Sequence, residues 1–100
     1  VTQLGLYEKK DDYIQKHINK ILSLPLVDAQ AVRSKNFKVI VDAVNSTGGI
    51  AVPLLLKAMG VTVTEMFCEP TGHFPHNPEP LPENITDIIN AMKKSKHDLG

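Results

Sequence analysis

This sequence has little that would mark it for an obvious partner. Its 100 residues carry eleven Lys and Arg against eleven Asp and Glu, so the formal charge is zero. Nucleic-acid and polybasic membrane surfaces need clustered excess cation, and a balanced chain offers neither. Arg33 is the one arginine, which weakens any phosphate clamp built on side chains alone. Cys68 is the one cysteine. It excludes an internal disulfide and fits a reducing compartment, so a cytoplasmic location is the expectation. No signal-peptide pattern and no run of eighteen apolar residues occurs, and the chain reads as soluble, with no membrane partner. Internal repeats and low-complexity segments are absent. The chain opens at Val1 rather than Met, which hints at processing or at an excised piece.

What is present suits one globular domain or part of one, with 42% hydrophobic residues. The organising stretch runs from Phe37 to Gly60, FKVIVDAVNSTGGIAVPLLLKAMG. Val39, Ile40 and Val41 form a β-branched run suited to a strand buried on both faces. Asn45, Ser46, Thr47, Gly48 and Gly49 are turn and cap residues. An apolar run from Ile50 to Met59 then reads as a helix, with Pro53 expected in its first turn and Gly60 just past its end. Val61 to Phe67 reads as a second strand. Strand, glycine turn, helix and strand make a βαβ unit.

On the flanks, Val1 to Tyr7 reads as an edge strand or an arm. Asp11 or Asp12 is placed to cap a helix reaching about Leu24, with Ile14, His17, Ile18, Ile21 and Leu22 as its apolar stripe. Val27 to Val32 suits a helical turn, and Arg33 to Asn36 a polar loop. Glu69 to Pro82, EPTGHFPHNPEPLP, holds five of the seven prolines and predicts a long, stiff loop. A last helix is expected from Pro82, burying Ile85, Ile88, Ile89 and Met92, with Lys93, Lys94 and Lys96 at its end. Two strands alone make a marginal sheet. The chain is therefore expected to be an incomplete domain, lacking at least one strand beyond Gly100.

Three groups of residues are candidates for chemistry. The turn Asn45, Ser46, Thr47, Gly48, Gly49 could present amides to an anion at a helix start, or its glycines could simply permit close packing. It matches neither the P-loop nor the dinucleotide-binding glycine pattern. Cys68, Glu69, His73 and His76 carry metal-ligand chemistry, but their spacing matches no familiar zinc module and Pro75 limits how the two histidines converge, so exposed histidines on a proline loop are the favoured explanation. Asp42 stands at the end of the first strand, where α/β folds place functional groups, or caps the turn there. Nothing assembles a nucleophile, a base and an oxyanion hole, so no catalytic residue and no metal ligand is assigned.

The segments VIVDAVNSTGG (residues 39–49), CEPTGHFPHNPEPLPENITDII (residues 68–89) and HDLG (residues 97–100) lie in an order that resembles the second domain of the α-D-phosphohexomutases, the phosphoglucomutase/phosphomannomutase family. The resemblance spans Phe37 to Gly100; Val1 to Asn36 is consistent with the preceding linker and first helix. It implies a three-layer α/β/α domain, an incomplete one, with a small, mainly parallel sheet built on the βαβ unit. It also implies a four-domain parent enzyme. That parent would interconvert hexose 1-phosphate and hexose 6-phosphate through a bisphosphorylated sugar, using Mg²⁺. Its phosphoserine and Asp-x-Asp-x-Asp-Arg metal loops have no counterpart here, and the metal loop is expected just beyond Gly100. The isolated chain is thus expected to be inactive, to need no cofactor and to have the parent's other domains as partners. The alternatives are a small stand-alone anion- or metal-binding α/β module, and a piece that self-associates through an open sheet edge.

Overall fold

The computed structural model describes residues 2–100; Val1, the start of the expected arm, lies outside the described residues. Residues 2–10 form no helix or strand, and Leu4, Leu6 and Tyr7 stand fully in solvent, so this stretch is an arm rather than an edge strand. Helix α1 (Tyr13–Leu22) follows, ending two residues earlier than its periodicity suggests. Asp12 occupies the cap position without accepting an amide there; its carboxylate instead meets Lys16 at 2.6 Å one turn on. Ile18 is buried, while His17 at the edge of the stripe stays exposed.

Helix α2 (Ala29–Lys35) is longer than the single turn expected and takes in Arg33 to Lys35, which read as loop. Local chemistry explains this. The Asp28 carboxylate accepts the Ala31 amide at 2.8 Å and starts the helix, and Asn36 closes it in the left-handed region at φ 53°.

Strands β1 (Lys38–Asp42) and β2 (Thr62–Met66) run parallel, with Val39 opposite Val63 and Asp42 opposite Met66. Between them lies helix α3 (Gly48–Ala58). It starts two residues earlier than expected, so Pro53 is buried inside the helix and not in its first turn. Proline has no N–H, so the Gly49 carbonyl one turn back loses its helical donor. The far end is a Schellman cap: the Val61 amide reaches the Leu56 carbonyl and the Gly60 amide the Lys57 carbonyl, with Gly60 at φ 79°. Arg33 docks α2 here, donating from Nη2 to the Ala58 carbonyl at 3.0 Å.

Side chains alternate across the pleat, so Val39, Val41, Val63 and Glu65 share one face, and Ile40, Asp42, Thr64 and Met66 the other. Helix α3 covers the first face, where Lys57 meets Glu65 at 2.6 Å. Helix α4 (Thr86–Lys94) serves the second, and His97 just beyond it meets Thr64 at 2.8 Å. The molecule is a small α/β domain in layers, with Ile18, Ile40, Ala43 and Val61 at its centre. Helix α4 starts four residues after Pro82. Residues 82–85 instead form a turn in which Leu81 accepts the Asn84 and Ile85 amides.

The free edge of β1 is also engaged. Phe37 and Ala43 bond toward β2, whereas the alternate groups, the Lys38 carbonyl and the Ile40 amide, pair with Asp98 and Leu99 at 2.8 and 3.0 Å. Leu99 thereby forms a parallel bridge with Val39, and the Asp98 carboxylate accepts the Lys38 amide. Among the described residues, no helix is long and apolar enough to cross a membrane.

Candidate functional site at the strand ends

The C-terminal ends of β1 and β2 are where the backbone is least relaxed. Val44 (φ 45°) and Asn45 (φ 54°) follow β1, and Phe67 (φ 49°) follows β2, all in the left-handed region. Asparagine tolerates that region; a β-branched valine does not, and such strain persists only where surrounding contacts over-determine it. Here they do. The Asn45 amide donates to the Phe67 carbonyl at 2.6 Å, tying the two strand exits together.

Asn45 also grips the proline-rich loop, residues 69–82. Its carbonyl accepts the Gly72 amide at 2.9 Å, and its Nδ2 donates to the His73 carbonyl at 3.1 Å. Gly49 lets the loop's start come this close. A Cβ on Gly49 would lie 2.2 Å from the Cys68 carbonyl oxygen, so only glycine fits at this crossing of α3 and the β2 exit.

Asp42 is the turn cap that was one of its two expected roles, and its second oxygen has a partner of its own. Oδ1 accepts the Val44 amide at 3.0 Å, which caps the strained turn. Oδ2 faces His76 Nε2 at 2.9 Å, with the two side chains only 8% and 16% exposed. The second ring nitrogen, Nδ1, lies 2.9 Å from the Asn77 carbonyl, and the Phe67 ring stands edge-on, its centroid 5.9 Å away. The hydrogen bond to Asn77 and the carboxylate of Asp42 hold the His76 pKa above its ordinary value, against a smaller opposing effect of burial. With both nitrogens engaged, His76 has no free position from which to serve as a general base.

The four metal-ligand candidates separate. Cys68 Sγ lies 3.4 Å from the Val41 and Met66 carbonyls, and burial pushes its thiol pKa up. Glu69 and His73 are exposed, and His73 takes part through its backbone. Among the described residues, no three His, Cys, Asp or Glu side chains converge to hold a metal ion. In the Asn45–Gly49 turn, the amides of Asn45, Ser46 and Gly49 donate to the carbonyls of Phe67, Ala43 and Ser46. Sequence reasoning named Asp42 but gave it no partner. His76 lies 34 positions away, and the one signal for it was a histidine in the loop that must leave the β2 end of the same sheet edge.

Residues 11–100 match the family model described as phosphoglucomutase/phosphomannomutase, alpha/beta/alpha domain II. A phosphomannomutase/phosphoglucomutase of Pseudomonas putida is 42% identical over 69 residues, covering 67% of this chain and 15% of that protein. A phosphoglucomutase/phosphomannomutase of Thermococcus kodakarensis is 34% identical over 93 residues, covering 92% of this chain and 20% of that protein. A probable phosphoglucosamine mutase of Methanosarcina barkeri is 36% identical over 98 residues, or 97% of this chain and 21% of that protein. The chain thus spans about a fifth or less of the length of these relatives.

Proposed function

The chain belongs to the phosphoglucomutase/phosphomannomutase family, as its alpha/beta/alpha domain II, and from that premise we propose that it is the scaffold domain of a parent mutase. The parent interconverts hexose 1-phosphate and hexose 6-phosphate through a bisphosphorylated sugar, with the other domains of the same chain as partners. Such a transfer depends on positioning and on neutralising the charge of the moving phosphoryl group. This chain's part is the positioning. The family match over residues 11–100 carries the reading. The fold supports it through Leu99, which lies parallel to Val39 on the far edge of β1, where a further strand would be aimed.

Among the described residues, no three His, Cys, Asp or Glu side chains gather at one point. The metal of the parent would be held outside this chain, and no step is derived through it. We also propose a division into a linker and helix, residues 1–36, and a core βαβ-helix portion, residues 37–100, with Ile18 of the first packed into the second.

The reading predicts no conversion of glucose 1-phosphate by the isolated chain in the presence of Mg²⁺, and conversion by a full-length protein containing it. Turnover by the 100-residue chain alone would overturn the scaffold role. An inactive but folded full-length protein would overturn the mutase assignment.

A further inference from the structure

The two partners of the His76 ring are both acceptors. Asn77 presents a backbone carbonyl to Nδ1, and Asp42 presents a carboxylate oxygen to Nε2, each at 2.9 Å. Neither a backbone carbonyl nor an ionised carboxylate can donate a hydrogen bond. A neutral imidazole has a single N–H, so it would satisfy one contact and set lone pair against lone pair at the other. The geometry is satisfied in full only when both nitrogens carry protons.

We propose that His76 is an imidazolium at neutral pH, acting as a proton-controlled latch that fastens the second half of the proline-rich loop to the end of β1. Two sets of hydrogen bonds tie the loop to the strand ends. Near its start, Asn45 holds Gly72 and His73 through bonds with no titrating partner. Further on, residues 74–80 cross-link to the sheet through the His76–Asp42 pair. Only the second attachment changes strength with a proton.

The surroundings favour the charged ring. Asp42 faces it from β1, and Asp87 on α4 adds a further negative field. Cys68, from the β2 exit, lies near Asp42, and its raised pKa keeps the thiol uncharged. Phe67 packs edge-on and brings no charge. The folded-state pKa of His76 therefore stands above the ordinary 6.5. A raised histidine pKa contributes stability that is fully present below the unfolded value and is lost as pH rises through the folded value. The latch is at full strength at neutral pH and weakens on the alkaline side, where the neutral ring loses its ionic attraction to Asp42 and one of its two hydrogen bonds, while the Asn45 attachment is unchanged.

Long-range ¹H–¹⁵N spectra of the whole chain, followed from pH 5 to 10, test this. Both His76 nitrogens are expected in the protonated range at pH 7, with a titration midpoint above 6.5. The amides of Phe74, His76, Asn77 and Glu79 should shift with the same midpoint, and those of Thr71, Gly72 and His73 should not. Asp42→Asn should lower the midpoint. A neutral single tautomer at pH 7 would overturn the proposal. So would loop shifts that ignore the His76 midpoint, and the unsubstituted chain decides both even if the variant fails to fold.

Discussion

Replacing Gly49 by alanine places a methyl group where the chain already has a carbonyl. The new Cβ would lie 2.2 Å from the Cys68 oxygen, 2.6 Å from its Cα and 2.7 Å from its carbonyl carbon. All three are backbone atoms at the exit of a strand, so no side chain can swing aside. Overpacking a filled site costs about 1–3 kcal/mol, and rigid backbone places this case near the upper figure. Better helix propensity offsets up to about 1 kcal/mol. The net loss for Gly49→Ala is then about 2 kcal/mol. Its neighbour makes the control. A Cβ on Gly48 would meet only Ala43 Cβ at 3.8 Å, an ordinary contact. Gly48→Ala should therefore stabilise by about 0.4–1 kcal/mol, by narrowing the unfolded ensemble. Two adjacent glycines in one helix turn are thus expected to differ by more than about 2 kcal/mol with opposite signs. Urea titration reads the difference as a displaced midpoint at unchanged slope. Thermal melts should place the two variants at least about 10 °C apart for a domain of this size. Equal stabilities within about 0.5 kcal/mol would refute the claim that α3 and the β2 exit touch through Gly49.

Asn45→Ala should cost about 1–2 kcal/mol, from a left-handed backbone that alanine resists and the lost bond to the His73 carbonyl. Asn45→Gly should cost less, because it restores the backbone term alone; equal losses in urea titrations would show that φ is not the issue. Cys68 should react with a disulfide reagent at pH 7.5 far more slowly than in the urea-unfolded chain, since burial raises its thiol pKa; similar rates would count against the packed β2 exit. The isolated chain is expected to leave glucose 1-phosphate unconverted, and His76 to titrate above 6.5.

Elements set by local chemistry were legible in advance. The β-branched run around Ile40 became β1, and the glycine turn and apolar run became α3, closed at Gly60 as glycine at a helix end requires. The segments that matched a family in sequence fell within the stretch the domain II model covers. Boundaries were less legible where two signals competed. Pro53 argued for a later helix start, yet its ring is buried and the helix begins at Gly48. Pro82 argued for an earlier one, but the carbonyls of Glu79 and Leu81 hold Asn84 in a turn instead. Helix α2 outran its apolar pattern because Asp28 caps one end and Asn36 the other.

The sequence by itself therefore determined the βαβ unit and the family, because propensity and turn chemistry act over a few residues and motif order is written along the chain. Tertiary structure alone decided what Asp42 is for. Its carboxylate is completed by a ring 34 positions away, through a loop whose path is set by Asn45 and by the missing side chain of Gly49. A pairing of that kind leaves no periodicity to read. It exists only where two strand exits and one loop are brought within hydrogen-bonding distance, and there it sets the charge on His76.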